Sequence, residues 1–264
     1  MCWKNLYRFG YVVETYLVGK EMMKTIKKIV YIVGAKLYRC FWNAYWARIE
    51  RKDILSVFYD RHREEFYLKC MRLIAFNQIE GDYLEFGCYT GVSFRLAHKY
   101  SRLERLNMHL YAFDSFKGLP EPRGIDVAPQ WKAGNLVETI KSFENKLKAS
   151  GVKKSEYTLV PGYYSESLTE ETRKKLRIKN AALILVDCDL YESTAAVLDF
   201  VLPYLQTGTV LALDDFYLYK GDPERGEQLA LKEFLQKHPE IELVEYLTFG
   251  WHGKSFIVKR HEKA

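Results

Sequence analysis

Gly81-Asp82-Tyr83-Leu84-Glu85-Phe86-Gly87-Cys88-Tyr89-Thr90-Gly91-Val92-Ser93-Phe94 is the stretch from which the rest of the chain can be ordered. An apolar strand run ends in an acidic residue, two glycines follow four apart, and a helical pattern opens at Ser93. Gly87 and Gly91 allow a tight turn and a close backbone approach to a ligand. Ser93 suits a helix N-cap, where free N–H groups face that ligand. The spacing Glu-x-Gly-x-x-x-Gly is not the Gly-x-Gly-x-x-Gly of a pyrophosphate cradle. A carboxylate at the strand end would repel a dinucleotide phosphate and attract an ammonium group. That favours the amino-acid end of S-adenosylmethionine (SAM), with Glu85, Gly87, Thr90, Gly91 and Ser93 as candidate contacts. The plain alternative is a glycine turn joining a strand to a helix.

Downstream, apolar strand runs and helical patterns alternate from residue 82 to 240. Met108–Phe113 reads as a second strand, Tyr157–Val160 as a third, Ala181–Val186 as a fourth and Thr209–Leu213 as a fifth. The fourth is apolar throughout, as expected of a strand covered on both faces. Helices are expected over Ile54–Ile79, Val92–Lys99, Leu136–Ser150, Thr169–Leu176, the segment ending at Leu202, and Glu227–Lys237. In the first of these, Leu68, Met71, Leu73, Ile74 and Phe76 crowd toward one side, and Arg61, Arg63, Glu64 and Glu65 read as a solvated face. Strands around Ile241–Leu247 and Ser255–Val258 suit an antiparallel closing edge. The fold class is therefore α/β: a doubly wound, mostly parallel Rossmann-like sheet with antiparallel closing strands and an N-terminal helical extension.

Four acidic groups fall at strand carboxyl ends, where open parallel sheets bind ligands. These are Glu85, Asp114, the pair Asp187/Asp189, and the pair Asp214/Asp215. Asp114 lies 23 residues beyond Gly91, about the distance at which a second-strand carboxylate takes ribose hydroxyls. Asp187 and Asp189, two apart, would share one side of an extended backbone. Carboxylates converging with no Lys or Arg nearby need a cation, and a set without His or Cys favours Mg²⁺, with Ca²⁺ or Mn²⁺ as alternatives, over zinc. The plain alternative is a set of unrelated strand-end aspartates. Mg²⁺ beside SAM has a clear use, because a coordinated alcohol becomes a better nucleophile and one further carboxylate can take its proton.

The net charge of +6 is concentrated in residues 1–50, which hold nine Lys/Arg against three Asp/Glu. This segment is also rich in Trp and Tyr. The run Ile29–Ala47 is interrupted by Lys36, Arg39 and Asn43, so it is a poor match to the roughly 20 apolar residues of a spanning helix. Nor does it resemble a signal peptide. It reads either as helices covering the cleft or a partner subunit, or as a basic aromatic surface resting on anionic lipid. No nucleic-acid recognition motif accompanies the charge. Five scattered cysteines without a Cys-x-x-Cys pair point to reduced thiols in a cytoplasmic setting. The expected organisation is an extension over 1–53 and a catalytic domain over 54–264. The expected partners are a small-molecule or glycan substrate, with homo-oligomerisation and peripheral membrane contact through 1–50 left open.

The sequence resembles the macrocin O-methyltransferase family (TylF/MycF type) of SAM-dependent sugar methyltransferases. The resemblance is carried by residues 81–93, by Phe-Asp-Ser-Phe-Lys-Gly-Leu-Pro-Glu-Pro at 113–122, by Asp-Cys-Asp-Leu-Tyr-Glu-Ser-Thr at 187–194, and by Asp-Asp-Phe at 214–216. It implies that Glu85, Gly87 and Gly91 line the methionine end of SAM and that Asp114 and Ser115 take the ribose side. It also implies that Asp189, Asp214 and Asp215 hold Mg²⁺ and that Asp187 is the general base. The loop Tyr217–Gly226 looks longer than the family's glycine connection, and 1–50 carries no family motif, so the acceptor stays open. The expected function is Mg²⁺-dependent O-methylation of a sugar hydroxyl. The alternatives are a catechol-type enzyme acting on an aromatic diol and a non-catalytic membrane- or polymer-associated binding protein. A NAD-linked dehydrogenase is disfavoured by Glu85 and the missing fingerprint.

Overall fold

The computed structural model describes residues 33, 34, 36, 37 and 51–261, with side chains from residue 61 onward in the second part. The chain divides into two compact units, Met1–Val57 and Phe58–Ala264. In the first, residues 33, 34, 36 and 37 are helical and exposed, and residues 51–57 are helical. The readings of 1–50 as a cleft cover or a lipid-facing surface lie outside the described residues. No described helix is long and apolar enough to cross a membrane.

The second unit is built on a seven-stranded sheet of order β3-β2-β1-β4-β5-β7-β6. The strands are β1 Asp82–Phe86, β2 Leu110–Asp114, β3 Tyr157–Pro161, β4 Ala181–Val186, β5 Val210–Leu213, β6 Ile241–Phe249 and β7 Gly253–Arg260. β1 to β5 run parallel, while β7 pairs antiparallel with both β5 and β6. The expected doubly wound sheet with antiparallel closing strands is thus what the chain forms. β4 is buried along its whole length, because helices cover both faces of the sheet at its centre.

The strand side chains alternate between two apolar layers. Tyr83 packs with Tyr67, Met71, Phe94 and Phe143 on one face. Leu84 and Phe86 pack with Val197, Phe200, Leu231 and Phe234 on the other. The helices concerned are α1 Arg51–Phe76, α2 Val92–Leu103 and α3 Ile140–Ala149 on the first face. On the second lie α6 Tyr191–Val201 and α7 Gly226–Lys237. Two short helices, α4 Tyr164–Ser167 and α5 Glu170–Lys175, connect β3 to β4.

Three local expectations are corrected. On α1 the buried stripe is Arg63, Phe66, Tyr67, Cys70, Met71 and Ile74, whereas Leu68 and Phe76 are exposed. The helical period is right, but its phase is rotated from the one read off the sequence. α3 starts at Ile140 and not at Leu136, capped by Thr139, whose hydroxyl accepts from the Ser142 N–H. Leu119 and its partners Gly134 and Asn135 exchange backbone hydrogen bonds, leaving Leu136 in a left-handed turn. Finally, α2 is N-capped by Gly91 and not by Ser93.

Between β1 and β4 the strand order reverses, which opens the crevice at their carboxyl ends. Gly87 sits there with φ 89°, and a Cβ on it would stand 1.6 Å from the carbonyl oxygen of Asp187. Gly87→Ala is therefore expected to unfold the domain or lower its melting temperature severely. Gly151→Ala, also at positive φ but with open space around it, should cost only about 1–2 kcal/mol of left-handed strain. Thermal denaturation of the two variants compares the contact with the dihedral. Equal losses would show that the approach to Asp187 is unimportant.

Candidate active site

A cleft of about 990 Å³ opens over the carboxyl ends of β1, β2, β4 and β5. That is at the upper end of the roughly 300–1,000 Å³ of small-molecule sites. Of the residues singled out from sequence, Gly87, Thr90, Ser93, Asp114, Ser115, Asp187, Asp189, Asp214 and Asp215 all line it. Gln130, Trp131 and Gly162–Ser165 also line it.

Glu85 and Gly91 stand behind this surface. Gly91 turns the chain at φ 72°, and a Cβ on it would press on the Phe143 ring. Glu85 is fully buried and accepts a 2.6 Å bond from the Tyr83 hydroxyl, which in turn meets the Tyr67 hydroxyl at 2.9 Å. Its other oxygen, Oε1, has no hydrogen-bond partner. Burial drives the Glu85 pKa up to about 8, against the opposing pull of the Tyr83 bond and of Arg63.

Asp114 is already occupied on its inner side. Its Oδ2 accepts from the N–H groups of Cys88 and Tyr89 at 2.8 and 3.0 Å, and its Oδ1 from Phe116 N–H at 2.7 Å. A carboxylate offers about four acceptor positions, so little capacity is left for ribose. Its main visible work is to bind the glycine turn to the end of β2. Ser115 accepts from Lys117 N–H and donates to the Gly118 carbonyl, closing the next turn.

The acidic cluster forms, but by a different route from the one expected. Asp189 is not in extended backbone: its φ is 63°. Its N–H donates to Asp215 Oδ2 at 3.1 Å, and this bond joins the two pairs across β4 and β5. Burial and the neighbouring Asp214 push Asp189 up to about 7. Burial first, then the neighbouring acids, also raise Asp187 and Asp215 well above the usual carboxylate range.

Two cationic or basic groups enter this cluster, contrary to the expectation that no Lys, Arg or His stood near. Arg63 is buried, not solvated. Its guanidinium donates to Asp214 Oδ2 at 2.5 Å and to Ser93 Oγ at 2.5 Å, and lies 3.5 Å from Asp187 Oδ2. His252, on the turn between β6 and β7, has Nδ1 against the Asp214 carbonyl and 3.7 Å from Asp215 Oδ1. Sequence reasoning missed both. Arg63 could have been found by continuing the stripe 74-71-67 one turn further back. His252 is brought in by an antiparallel hairpin and left no local signal.

A further acid was also missed. Glu227, in the first turn of α7, is buried, and its Oε2 accepts from Asp215 N–H at 2.9 Å. Its Oε1 has no partner, and burial, then Asp214, raises its pKa. Five carboxylates therefore share this cluster with one guanidinium, which reaches Asp187 and Asp214. The oxygens of Asp214 and Asp215 and a ring nitrogen of His252 lie within 4.8 Å of one another. With Asp189 adjoining, the carboxylate oxygens of this set fit a hard divalent cation, whereas the His252 nitrogen is a donor that zinc takes more readily than Mg²⁺. The turn Gly87–Ser93 and the unpartnered Glu85 oxygen likewise fit an amino-acid-bearing cofactor, while Asp114 lines the cleft with most of its acceptor capacity already used.

In a doubly wound domain the cleft at the switch point is where small molecules bind. Residues 57–239 match the family model described as Macrocin-O-methyltransferase (TylF), and the chain belongs to that family. A curated relative from Streptomyces olivaceus, 8-demethyl-8-(2,3-dimethoxy-alpha-L-rhamnosyl)-tetracenomycin-C 4'-O-methyltransferase, is 24% identical over 154 residues. The match takes in 56% of this chain and 57% of the relative, so the chain spans little over half the length of that protein. Among solved structures, the O-methyltransferase NovP superposes with TM-score 0.60 at 21% identity, covering 76% of this chain and 80% of the other. A calicheamicin methyltransferase gives TM-score 0.60 at 19% identity, covering 91% and 93%. These structural likenesses establish the fold.

Arg63→Met is expected to destabilise the domain by about 3–5 kcal/mol, as removing one partner of a buried pair does. The loss should be larger at pH 8 than at pH 5, because Glu85, whose charged form Arg63 favours, has its pKa pushed up to about 8 and is neutral at pH 5. Denaturant unfolding at the two values measures this, and a loss independent of pH would show that Arg63 acts only by packing. Glu85→Gln tests the buried acid. Because the folded pKa, about 8, lies above the unfolded one, wild-type stability falls as pH rises from about 4.5 to 8, by about 1.4 kcal/mol per unit of pKa separation. The variant's stability should fall less steeply than that of wild type, since Asp187, Asp189, Asp215 and Glu227 are raised in both, equalling it near pH 4 and exceeding it at pH 8. A parallel decline in both proteins would place the titration elsewhere.

Proposed function

We propose that this protein is a SAM-dependent O-methyltransferase that methylates a sugar hydroxyl with the help of Mg²⁺. The observation carrying the reading is the acid cluster at the switch point, with Asp187 facing the cleft beside Asp189, Asp214 and Asp215. Family membership and the sugar named in the Streptomyces olivaceus relative support a glycosylated acceptor.

In this reading Gly87, Thr90 and Ser93 border the methionine end of SAM, with Gly91 shaping the turn and the unpartnered Glu85 oxygen beneath it as the ammonium's counter-charge. Asp114 and Ser115 border the ribose. The cofactor supplies an electrophilic methyl group and departs as S-adenosylhomocysteine. Asp189, Asp214 and Asp215 would hold Mg²⁺, which lowers the pKa of a nearby alcohol and fixes its direction. Asp187 receives the acceptor's hydroxyl proton at its carboxylate. Burial and the facing Asp214 raise its pKa, toward the range in which a base works at neutral pH. Arg63, bonded to Asp214 and close to Asp187, fixes where these carboxylates point.

Calorimetric titration with SAM, with and without Mg²⁺ and with NAD⁺ as control, tests the cofactor. SAM binding without NAD⁺ binding is expected, and no SAM binding in either condition would overturn the reading. Asp187→Asn should keep SAM affinity and lose at least about 10²-fold in turnover, the contribution of a positioned base. Asp215→Asn should raise the Mg²⁺ concentration needed for activity. Full activity in both variants would refute the assigned chemistry.

A further inference from the structure

Trp251 lies at the tip of the β6–β7 hairpin, between Phe249 and Gly253. It lines the cleft, yet 73% of its surface is exposed. An indole so open contributes little to the core, and large apolar groups left in a cleft wall commonly serve ligand contact. Its position is held by its neighbours. The His252 carbonyl accepts from Tyr217 N–H at 2.8 Å, and the His252 ring is seated on the Asp214 carbonyl. Phe249 stacks on Phe66 of α1 at 4.1 Å. The Trp251 ring meets His252 edge-on at 4.2 Å, so the indole stands one residue's width from the carboxylates of Asp214 and Asp215.

An aromatic plate beside a row of carboxylates is complementary to a sugar. The C–H face of a pyranose is apolar and carries partial positive charge, which suits the negative face of an aromatic ring. Its hydroxyls are donors that carboxylates accept well. Among the described lining residues Arg63 is the single guanidinium or ammonium group, and it is engaged with Asp187 and Asp214. The indole and the carboxylate oxygens are therefore the contacts this wall offers to a sugar ring.

The geometry points to Trp251 as the stacking platform of the acceptor subsite, on which one C–H face of a sugar ring would lie. This rests on the methyltransferase reading. The test uses the full chain, saturated with S-adenosylhomocysteine, in saturation-transfer NMR. The probes are methyl glycosides of rhamnose, fucose, glucose, galactose and mannose, together with TDP-rhamnose. At least one of them should bind, with saturation strongest on the C–H protons of one ring face. Trp251→Ala should weaken that binding about tenfold, the scale of a lost stacking contact. Trp251→Phe should retain most of it, and neither variant should change S-adenosylhomocysteine affinity by calorimetry. Equal glycoside binding by wild type and Trp251→Ala would overturn the platform. Binding of no sugar would overturn the subsite. Failure of S-adenosylhomocysteine itself to bind would instead remove the methyltransferase reading on which the subsite depends.

Discussion

The guanidinium of Arg63 is set among carboxylates that come from two different strands, and the site depends on it. α1 supplies the charge, β4 leads into Asp187, and β5 leads into Asp214. Carboxylates this close would repel one another and spread without a counter-ion. One guanidinium holds two of them but does not neutralise the group, since Asp189, Asp215 and Glu227 are also buried there. Burial first, and the neighbouring acids after it, raise these carboxylate pKa values. A further cation at this point, where the fold opens to the cleft, would offset the excess.

A steric constraint keeps this charge next to the cofactor turn. Gly87 packs its backbone against the Asp187 carbonyl, closer than any side chain would permit. Asp114 then anchors the same turn from β2 through the Cys88 and Tyr89 N–H groups. The glycine turn, the candidate base and the second-strand carboxylate are thus parts of one rigid junction across three strands. Function at a topological switch point follows from this geometry, because strand ends diverge there and leave backbone groups facing a crevice.

Most of the fold was legible because its signals are local. β4 reads as buried from its unbroken apolar run, and glycines and strand-end acids mark the turns where the chain reverses. The acidic residues of the cleft were legible for the same reason. Their partners were not. Arg63 looks like one of several charges near the start of a helix, and only its place on the buried stripe distinguishes it. His252 and Glu227 reach the cluster through long-range pairing of β5 with β7 and docking of α7. Asp189 converges through a left-handed residue that no alternation rule anticipates. Asp114 shows the opposite case: correctly placed on the cleft, its carboxylate is largely used by the protein's own backbone.

The central claim is that the buried acids form a receptor for a divalent cation, with Arg63 as a partial and permanent counter-charge. A crystal grown with Mn²⁺ and S-adenosylhomocysteine, measured at the manganese absorption edge, tests it most directly. The account requires one anomalous peak within coordination distance of Asp189, Asp214 and Asp215, with Arg63 still paired to Asp187 or Asp214. No peak at the cluster at saturating Mn²⁺, with S-adenosylhomocysteine bound, would contradict it and leave Arg63 as the site's sole cation.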